Sequence, residues 1–230
     1  MTFGDLWAAY IGPTDQNSPH AHAALQLAFG NRADVAVHYP GGTLHGAGIA
    51  IRPLVRHTLA PGLDRVGLLY IEPQTPLGRA LLADLGDRDV AVPRPSVVAA
   101  VGGGGEPAEL VARLELILDV ATHAPLDARV ARALAALALS YGTPGVVAQA
   151  ARAAGLSPAR LRALAQDQIG VPLARWVLWR KLARAAHAVA GGATLAAAAA
   201  DGGFSDQAHF ARTMRRMFGV TPGTAAASLR

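Results

Sequence analysis

The sequence contains no cysteine, which excludes a disulfide-stapled fold, a thiol enzyme and a metal site built on thiolates. Only 16% of the 230 residues are charged, and no apolar run reaches the roughly 18 residues needed to cross a bilayer. The start, MTFGDLWAAY, lacks the basic and apolar regions of a secretory signal. Because 52% of the residues are hydrophobic, we expect a folded core in a cytoplasmic protein without a membrane partner.

The formal net charge of +5 is unevenly distributed along the chain. Residues 1–124 carry a net charge of −4, whereas residues 125–230 carry +9. A strongly basic half joined to an acidic half indicates that one half binds a polyanion and that the other has a different role.

The first half consists of short extended segments that end in glycine or proline. Their spacing of about 8 to 14 residues leaves no room for crossover helices, so it predicts an antiparallel barrel or sandwich, and we favour a small barrel. The predicted strands lie within 6–12, 23–30, 34–42, 47–53, 55–62 and 66–73.

Helical spacing of apolar residues begins near residue 76 and is clearest in residues 107–120. There, Leu110, Leu114 and Leu118 fall on one side, which predicts a helix that packs on the barrel or forms a dimer seam. The glycines at 102–105 have no lysine, serine or threonine after them, so this segment is interpreted as a hinge and not as a phosphate loop.

After Pro125 the sequence is almost wholly helical, and one unit occurs twice, in residues 146–172 and 194–222. Aligning Gly155 with Gly203 places the copies 48 residues apart. A glycine allows the chain to turn between two helices, and the serine two positions later is predicted to cap the second helix. This pattern is typical of a helix-turn-helix, whose second helix enters the major groove of DNA. The predicted motifs are 146–168 and 194–217.

Residues 172–190 form an uninterrupted helical run between the two copies. At 1.5 Å per residue, this helix would be roughly 28 Å long. It would therefore hold two recognition helices about one turn of DNA, or ~34 Å, apart, so that a single chain reads two successive major grooves.

The basic half resembles the DNA-binding domain of the AraC/XylS family of bacterial transcription regulators. The second copy carries the resemblance most strongly, in Gly203-Phe204-Ser205, Phe210, Arg212 and the closing FGVTP of residues 218–222. Trp176, Lys181, Leu182 and Ala186 of the connecting helix fit as well. The first copy departs from the family pattern at Ala163 and Ala165, and Met214 replaces a usual phenylalanine in the second.

The resemblance implies which side chains contact a double-stranded DNA operator. Arginine suits guanine, glutamine suits adenine, and alanine can contact only a thymine methyl group. Other cations are better placed for phosphates than for bases. The full predicted set is Ser157, Ala159, Arg160, Arg162 and Ala163 in the first copy, Arg180 and Lys181 in the connecting helix, and Ser205, Gln207, Ala208, His209, Arg212, Arg215 and Arg216 in the second copy.

In this family the amino-terminal domain is commonly a cupin-like barrel that binds a small effector and mediates dimerisation. Metal cupins bring a His-x-His pair together with a later histidine, and His20, His22 and His57 fit that pattern, with Gln26 where a carboxylate is usual. A divalent metal, an organic effector and purely structural histidines stay open as alternatives. Candidate effector-binding residues are His20, His22, Gln26, His57, Tyr10 and Tyr70.

The predicted fold class is α+β multidomain, a cupin-like antiparallel β-barrel followed by an all-α DNA-binding domain with two helix-turn-helix motifs. The predicted domains are a sensor at 1–95, a helical connector at 96–124 and the DNA-binding domain at 125–230. We expect an effector-responsive, sequence-specific transcription regulator and not an enzyme, with an operator, a second copy of the chain and RNA polymerase as partners. The alternative is a metal-binding cupin sensor or cupin metalloenzyme in which DNA binding is secondary.

Overall fold

The computed structural model describes residues 1–14, 17–30, 33–122, 125–138, 143 and 145–223. The chain packs as two compact units, one within residues 1–123 and 217–220 and the other within residues 124–216 and 221–230. Antiparallel strands dominate the first unit and helices make up the second, which confirms the predicted β domain followed by an all-α domain. Within the part of the chain that is described, no helix is both long and apolar enough to cross a membrane.

Among its described residues, the first unit contains two antiparallel sheets. One has six strands in the order β1-β2-β8-β3-β6-β9, and the other has three in the order β5-β4-β7. Each of the six predicted segments contains a strand, whereas β1, β5 and β9 were not predicted. The strands are β1 (Thr2–Phe3), β2 (Trp7–Gly12), β3 (Leu25–Gly30), β4 (Val35–Tyr39), β5 (Gly42–Gly46), β6 (Gly48–Ile51), β7 (Thr58–Leu59), β8 (Val66–Ile71) and β9 (Val90–Ala91).

The two faces of the six-stranded sheet have different neighbours. Successive side chains of a strand point to opposite faces, so Leu25 and Leu27 of β3 share one face and Gln26 lies on the other. The leucine face packs in one core with the helices α1 (Pro76–Leu85), α2 (Pro95–Gly102) and α3 (Pro107–Ile117). Gln26 is paired in register with Tyr70 of β8, so both side chains belong to the face away from these helices.

Helix α3 buries the apolar stripe that the sequence analysis identified. Leu110, Leu114 and Leu118 are at most 5% exposed and belong to the core of the first unit. These leucines therefore pack within the first unit itself, which agrees with the first of the two interpretations and leaves the three side chains little accessible surface for a dimer seam. The exposed side of α3 carries Leu116, which is 82% exposed.

The second unit is built from helices that enclose a core of large side chains. Leu161, Trp176, Leu182 and Phe210 are all buried there. The predicted connecting helix is a single helix of 18 residues, about 27 Å long. The helices are α4 (Ala128–Ala138), α5 (Val146–Ala153), α6 (Pro158–Ile169), α7 (Leu173–Ala190), α8 (Leu195–Asp201) and α9 (Gln207–Phe218).

Candidate DNA-binding helices and a buried histidine cluster

The two helix-turn-helix repeats share one turn geometry. Gly155 and Gly203 adopt the left-handed conformation, with φ of 69° and 72°. The N–H of the next residue donates to a carbonyl five positions back, from Leu156 to Ala151 at 2.8 Å and from Phe204 to Ala199 at 2.9 Å. This is the Schellman ending of a helix, which satisfies the last carbonyl groups and requires a left-handed residue that glycine adopts without strain. The sequence repeat is therefore a structural repeat.

The second helix of each repeat begins on a different kind of cap. In the first repeat, Ser157 Oγ accepts a hydrogen bond from the N–H of Arg160 at 3.1 Å, as predicted. In the second repeat, the predicted cap at Ser205 is wrong, because Asp206 Oδ1 accepts the N–H of His209 at 2.6 Å. Ser205 Oγ instead donates to Asp206 Oδ2 at 3.0 Å. The N–H of His209 lowers the pKa of Asp206, and the Ser205 hydroxyl contributes to the same shift.

We expect the two serines to differ in their contribution to stability. Ser157→Ala should lower the free energy of unfolding by about 1 kcal/mol, since it leaves the Arg160 N–H without its partner. Ser205→Ala should have a clearly smaller effect, whereas Asp206→Ala should lower the urea midpoint more than Ser205→Ala does. Urea denaturation followed by circular dichroism measures all three, and equal losses for Ser205→Ala and Asp206→Ala would contradict the assignment of the cap.

Helix α6 presents its predicted contact residues to solvent. Ala159, Arg160, Arg162 and Ala163 are all exposed, while Leu161 between them is buried in the core. The helix thus buries one face and offers another that contains two arginines, the side chain best suited to guanine and phosphate.

Helix α9 presents a more strongly basic surface. Gln207, Ala208, Arg212, Arg215 and Arg216 are exposed, and the apolar side of the helix is buried through Phe210, Met214 and Met217. His209 is only half-buried at the surface: its ring packs edge-on against Phe204, with 5.2 Å between ring centroids, and its Nδ1 lies 3.2 Å from Ser205 Oγ. Its predicted base contact would require the ring to leave these neighbours.

The cations of α7 are partly engaged within the second unit. Lys181 Nζ lies 5.2 Å from the centre of the Phe204 ring, a cation–π contact, and burial lowers the pKa of Lys181. Arg184 forms a two-pronged ion pair with Asp201 of α8, with nitrogen–oxygen distances of 2.8 and 3.1 Å. Arg180 is half-buried. Lys181 therefore stabilises the packing of α7 against the turn of the second repeat, a role that the sequence analysis missed.

In the first unit, the structure brings together the three histidines that the sequence singled out. His20 and His57 form an antiparallel backbone pair, with N–H to carbonyl distances of 3.0 and 2.9 Å in the two directions. His20, His22 and His57 are at most 5% exposed. One ring nitrogen from each lies within 4.8 Å of the other two.

Backbone carbonyls fix the proton on each imidazole ring. The Nδ1 atoms of His20, His22 and His57 lie 2.9, 3.0 and 2.9 Å from the carbonyl oxygens of Ser18, Ala24 and Val55. Since a carbonyl oxygen can only accept, each Nδ1 must carry the hydrogen. In a neutral ring, Nε2 then has a lone pair and no proton.

Burial keeps these rings neutral. Burial, reinforced by the neighbouring His20, lowers the pKa of His22 to about 4. Burial and the two other histidines lower the pKa of His57 to about 2, and burial also lowers the pKa of His20. At neutral pH the cluster is therefore three uncharged imidazoles.

Gln26 and Tyr70 complete the cluster. Gln26 Oε1 lies 2.8 Å from His22 Nε2 and 3.3 Å from His57 Nε2, and Gln26 Nε2 has no hydrogen-bond partner among the described residues. The Tyr70 ring packs edge-on against His22 at 5.2 Å, and burial raises the pKa of its hydroxyl. On the neighbouring strand β2, Ala8 is paired in register with Tyr70, and Tyr10 lies two positions further along β2, on the same face of the sheet. The Tyr10 hydroxyl donates to the carbonyl of Pro13 at 3.0 Å.

A separate cavity of about 120 Å³ lies between the sheet and helices α2 and α3. Phe29, Leu69, Val101 and Leu110 provide apolar walls, and Arg65 is the charged residue of its lining. Tyr10, one of the predicted effector-binding residues, also lines this cavity. Arg65 carries no sequence pattern that marks a pocket, because the cavity depends on how α2 and α3 are placed.

Comparisons with known proteins agree with the repeat. Residues 150–228 match a family model described as a helix-turn-helix domain, whereas no curated protein matches the chain. An apo structure of ToxT from Vibrio cholerae has a TM-score of 0.65 at 10% identity and covers 99% of both chains. An unsaturated fatty acid-bound ToxT has a TM-score of 0.63 at 10% identity, over 99% of this chain and 98% of that one.

At 10% identity the likeness to ToxT shows a shared fold. The helix-turn-helix match over residues 150–228 contains the second helix of both repeats. Residues 150–228 are therefore a helix-turn-helix domain, and with its duplicated motif and the closing FGVTP sequence this part of the chain resembles the AraC/XylS family of DNA-binding transcription regulators.

Proposed function

We propose that this regulator reads operator DNA with α6 and α9 and that a small effector acts through its amino-terminal sheet domain. The observation that carries the first part is the pair of repeated second helices, each of which buries its apolar side and exposes arginine. Two such helices joined by a connecting helix about 27 Å long suit successive major grooves. The basic charge of residues 125–230 favours the same partner.

Base reading is assigned to the first two turns of each recognition helix. In α9, Gln207 and Arg212 are exposed and carry the side-chain chemistry for adenine and guanine. Arg215 and Arg216, in the last turn, are assigned to phosphates. In α6, the exposed alanines leave Arg160 and Arg162 as its main contacts, so we propose that the second repeat contributes more of the sequence preference.

The effector-responsive part of the proposal rests on the first unit. Its buried cluster of His20, His22, Gln26, His57 and Tyr70 joins several polar groups inside an apolar domain, which is an arrangement expected of a binding site. A ToxT structure with the same fold contains an unsaturated fatty acid, which supports a small-molecule ligand for a regulator of this architecture. We assign the chain a regulatory and not an enzymatic role.

Assembly and location complete the proposal. Regulators of this family commonly dimerise through the amino-terminal domain, so we propose a homodimer that acts on DNA in the cytoplasm and meets RNA polymerase at the promoter. The buried leucines of α3 do not supply the dimer surface.

Two arginines of α9 should separate base reading from phosphate binding. Arg212→Ala should weaken operator binding by about 10-fold or more and relax the preference at one base pair, because a bidentate arginine contact to guanine is lost. Arg216→Ala should weaken all duplexes alike and reduce the slope of log affinity against log salt by about 1. Fluorescence anisotropy with operator variants and a salt series measures both.

The exchange of these two outcomes would show that the roles of Arg212 and Arg216 are reversed. Arg65→Ala provides the matched control, since it removes one exposed positive charge from the first unit. It should leave the operator affinity and the salt slope unchanged. A wild-type protein that binds every duplex with the same affinity would contradict sequence-specific recognition itself.

A further inference from the structure

We propose that the cavity between the six-stranded sheet and helices α2 and α3 binds a small monocarboxylate, whose apolar body fills the cavity and whose carboxylate pairs with Arg65. The site lies on the face of the sheet opposite Gln26 and Tyr70 of the histidine cluster. It names a ligand class for the sheet domain and in that respect rests on the proposed effector response. The binding site itself is argued only from residues of the first unit.

The sheet gives the cavity an apolar floor. Alternate residues of a strand share a face, so Phe29 lies on the helix-facing side together with Leu27. The register pairs Phe29 with Gly67 of β8, and a Cβ at residue 67 would collide with the Phe29 ring. The ring therefore occupies the place of the missing side chain and lies across β8, which leaves room beneath α2 and α3.

A glycine segment borders the cavity on the helix side and has no side chains with which to fill it. Gly102, Gly104 and Gly105 are exposed residues of the lining, so they mark the side on which the cavity opens. The Arg113 side chain of α3 donates to the carbonyl of Gly104 at 2.7 Å and holds the segment in place. A Cβ at Gly102 or Gly104 would meet nothing within 4 Å. The open space is therefore built into the backbone.

Arg65 gives the site its preference for an anion. It immediately precedes β8, is exposed, and carries the one charge among the described residues of the lining. Among the described residues, none forms a hydrogen bond or an ion pair with Arg65. A guanidinium group matches the two oxygens of a carboxylate, and such charge-assisted hydrogen bonds are the stronger ones. Apolar walls with one cation beside the opening suit a ligand with a single anionic end.

The volume of the cavity limits the body of the ligand. A dry apolar cavity of about 150 Å³ holds benzene, which has six carbon atoms. The cavity of about 120 Å³ should consequently take a body of about four or five carbon atoms. Pentanoate, with four carbon atoms beyond its carboxylate, is the probe of this size.

The test titrates the ¹⁵N-labelled full-length chain with pentanoate in the absence of DNA and follows the amide signals by NMR. We expect a Kd on the order of 1 mM, with the largest shifts at Gly102, Gly104 and Gly105. Acetate lacks the apolar body and pentanamide lacks the charge, so each should bind at least about 5-fold more weakly. Decanoate should bind no more tightly than pentanoate, because the cavity does not hold its chain.

Variants of the wall and of the charge test the two ends of the ligand separately. Arg65→Ala should weaken pentanoate binding by at least about 5-fold, whereas Arg56→Ala, which removes an exposed arginine outside the lining, should match the wild type. Ala9→Leu extends a lining side chain into the cavity and should abolish pentanoate binding while the circular dichroism spectrum is retained. Val101→Ala enlarges the cavity and should raise the affinity for hexanoate relative to pentanoate by about 3-fold.

The absence of saturable shifts with pentanoate, shifts that avoid the glycine segment, or equal affinity for pentanamide would overturn the site. Because Val101→Ala predicts a gain for hexanoate, an unchanged preference in this variant would also count against the site. Operator binding is measured separately with and without pentanoate. Failure to bind pentanoate with intact operator binding would overturn the cavity site alone, and pentanoate binding by a chain that does not bind operator DNA would overturn only the proposed function. Pentanoate binding that leaves operator affinity unchanged would overturn its role as an effector.

Discussion

Simultaneous replacement of Arg212, Arg215 and Arg216 by alanine is expected to abolish measurable operator binding, a loss of at least about 100-fold. One base contact and two phosphate contacts disappear together, and the two phosphate contacts alone should lower the salt slope by about 1.8. The paired change of Arg160 and Arg162 in α6 should cost less, about 10-fold, because the rest of that surface is alanine. Anisotropy titrations at several salt concentrations give affinities and slopes for both variants.

Equal losses for the two variants would show that the repeats contribute equally. The triple variant should retain its fold, since all three side chains are exposed, and its circular dichroism spectrum should match the wild type. A large loss of helicity would assign the effect to unfolding and would remove its bearing on DNA contacts.

Truncation of Phe210 to alanine is expected to destabilise the second unit by about 3 to 5 kcal/mol. Phe210 is fully buried, and its ring lies 5.4 Å from that of Phe204 in the turn of the repeat. The cavity left behind would remove contacts from the side of α9 opposite its arginines. For a unit of about 100 residues we expect a fall in melting temperature of more than about 10 °C, together with weaker operator binding.

Arg215→Ala is the matched control on the same helix. It should change stability by no more than about 0.5 kcal/mol while it weakens DNA binding, because its side chain is exposed. Thermal denaturation and anisotropy on both variants separate the effects. A Phe210→Ala protein with wild-type stability would contradict the packing of α9 described above.

The strand segments were predictable because glycine and proline mark where each one ends. Helix α2 was not, since Pro95–Gly102 contains three valines and runs into a series of glycines, which favours an extended or turning segment. Tertiary packing favours the helix over the extended form, because Val97 and Val101 are at most 3% exposed in the core with α1 and α3. The helical spacing of the leucines in α3 was also visible in the sequence. Such spacing identifies the apolar face of a helix, but it does not identify the surface against which that face packs.

For the histidine cluster, the sequence predicted which side chains meet but not which ring nitrogen carries the proton. Their spacing in the sequence was sufficient to predict that His20, His22 and His57 meet. The direction of the carbonyls of Ser18, Ala24 and Val55 depends on the folded backbone, so the tautomers were not readable from residue types. At the start of α9, serine and aspartate both favour the cap position, and propensity alone does not choose between Ser205 and Asp206.

The contact between Lys181 and Phe204 has a practical consequence for labelling. Lys181 is the only lysine in the chain, so amine-directed reagents have a single side chain to modify. That amine lies over the aromatic ring at the turn of the second helix-turn-helix, and its pKa is lowered by burial. A probe attached there would sit on the DNA-reading domain at one defined position, and the rate of its attachment would report how firmly α7 and this turn are packed together.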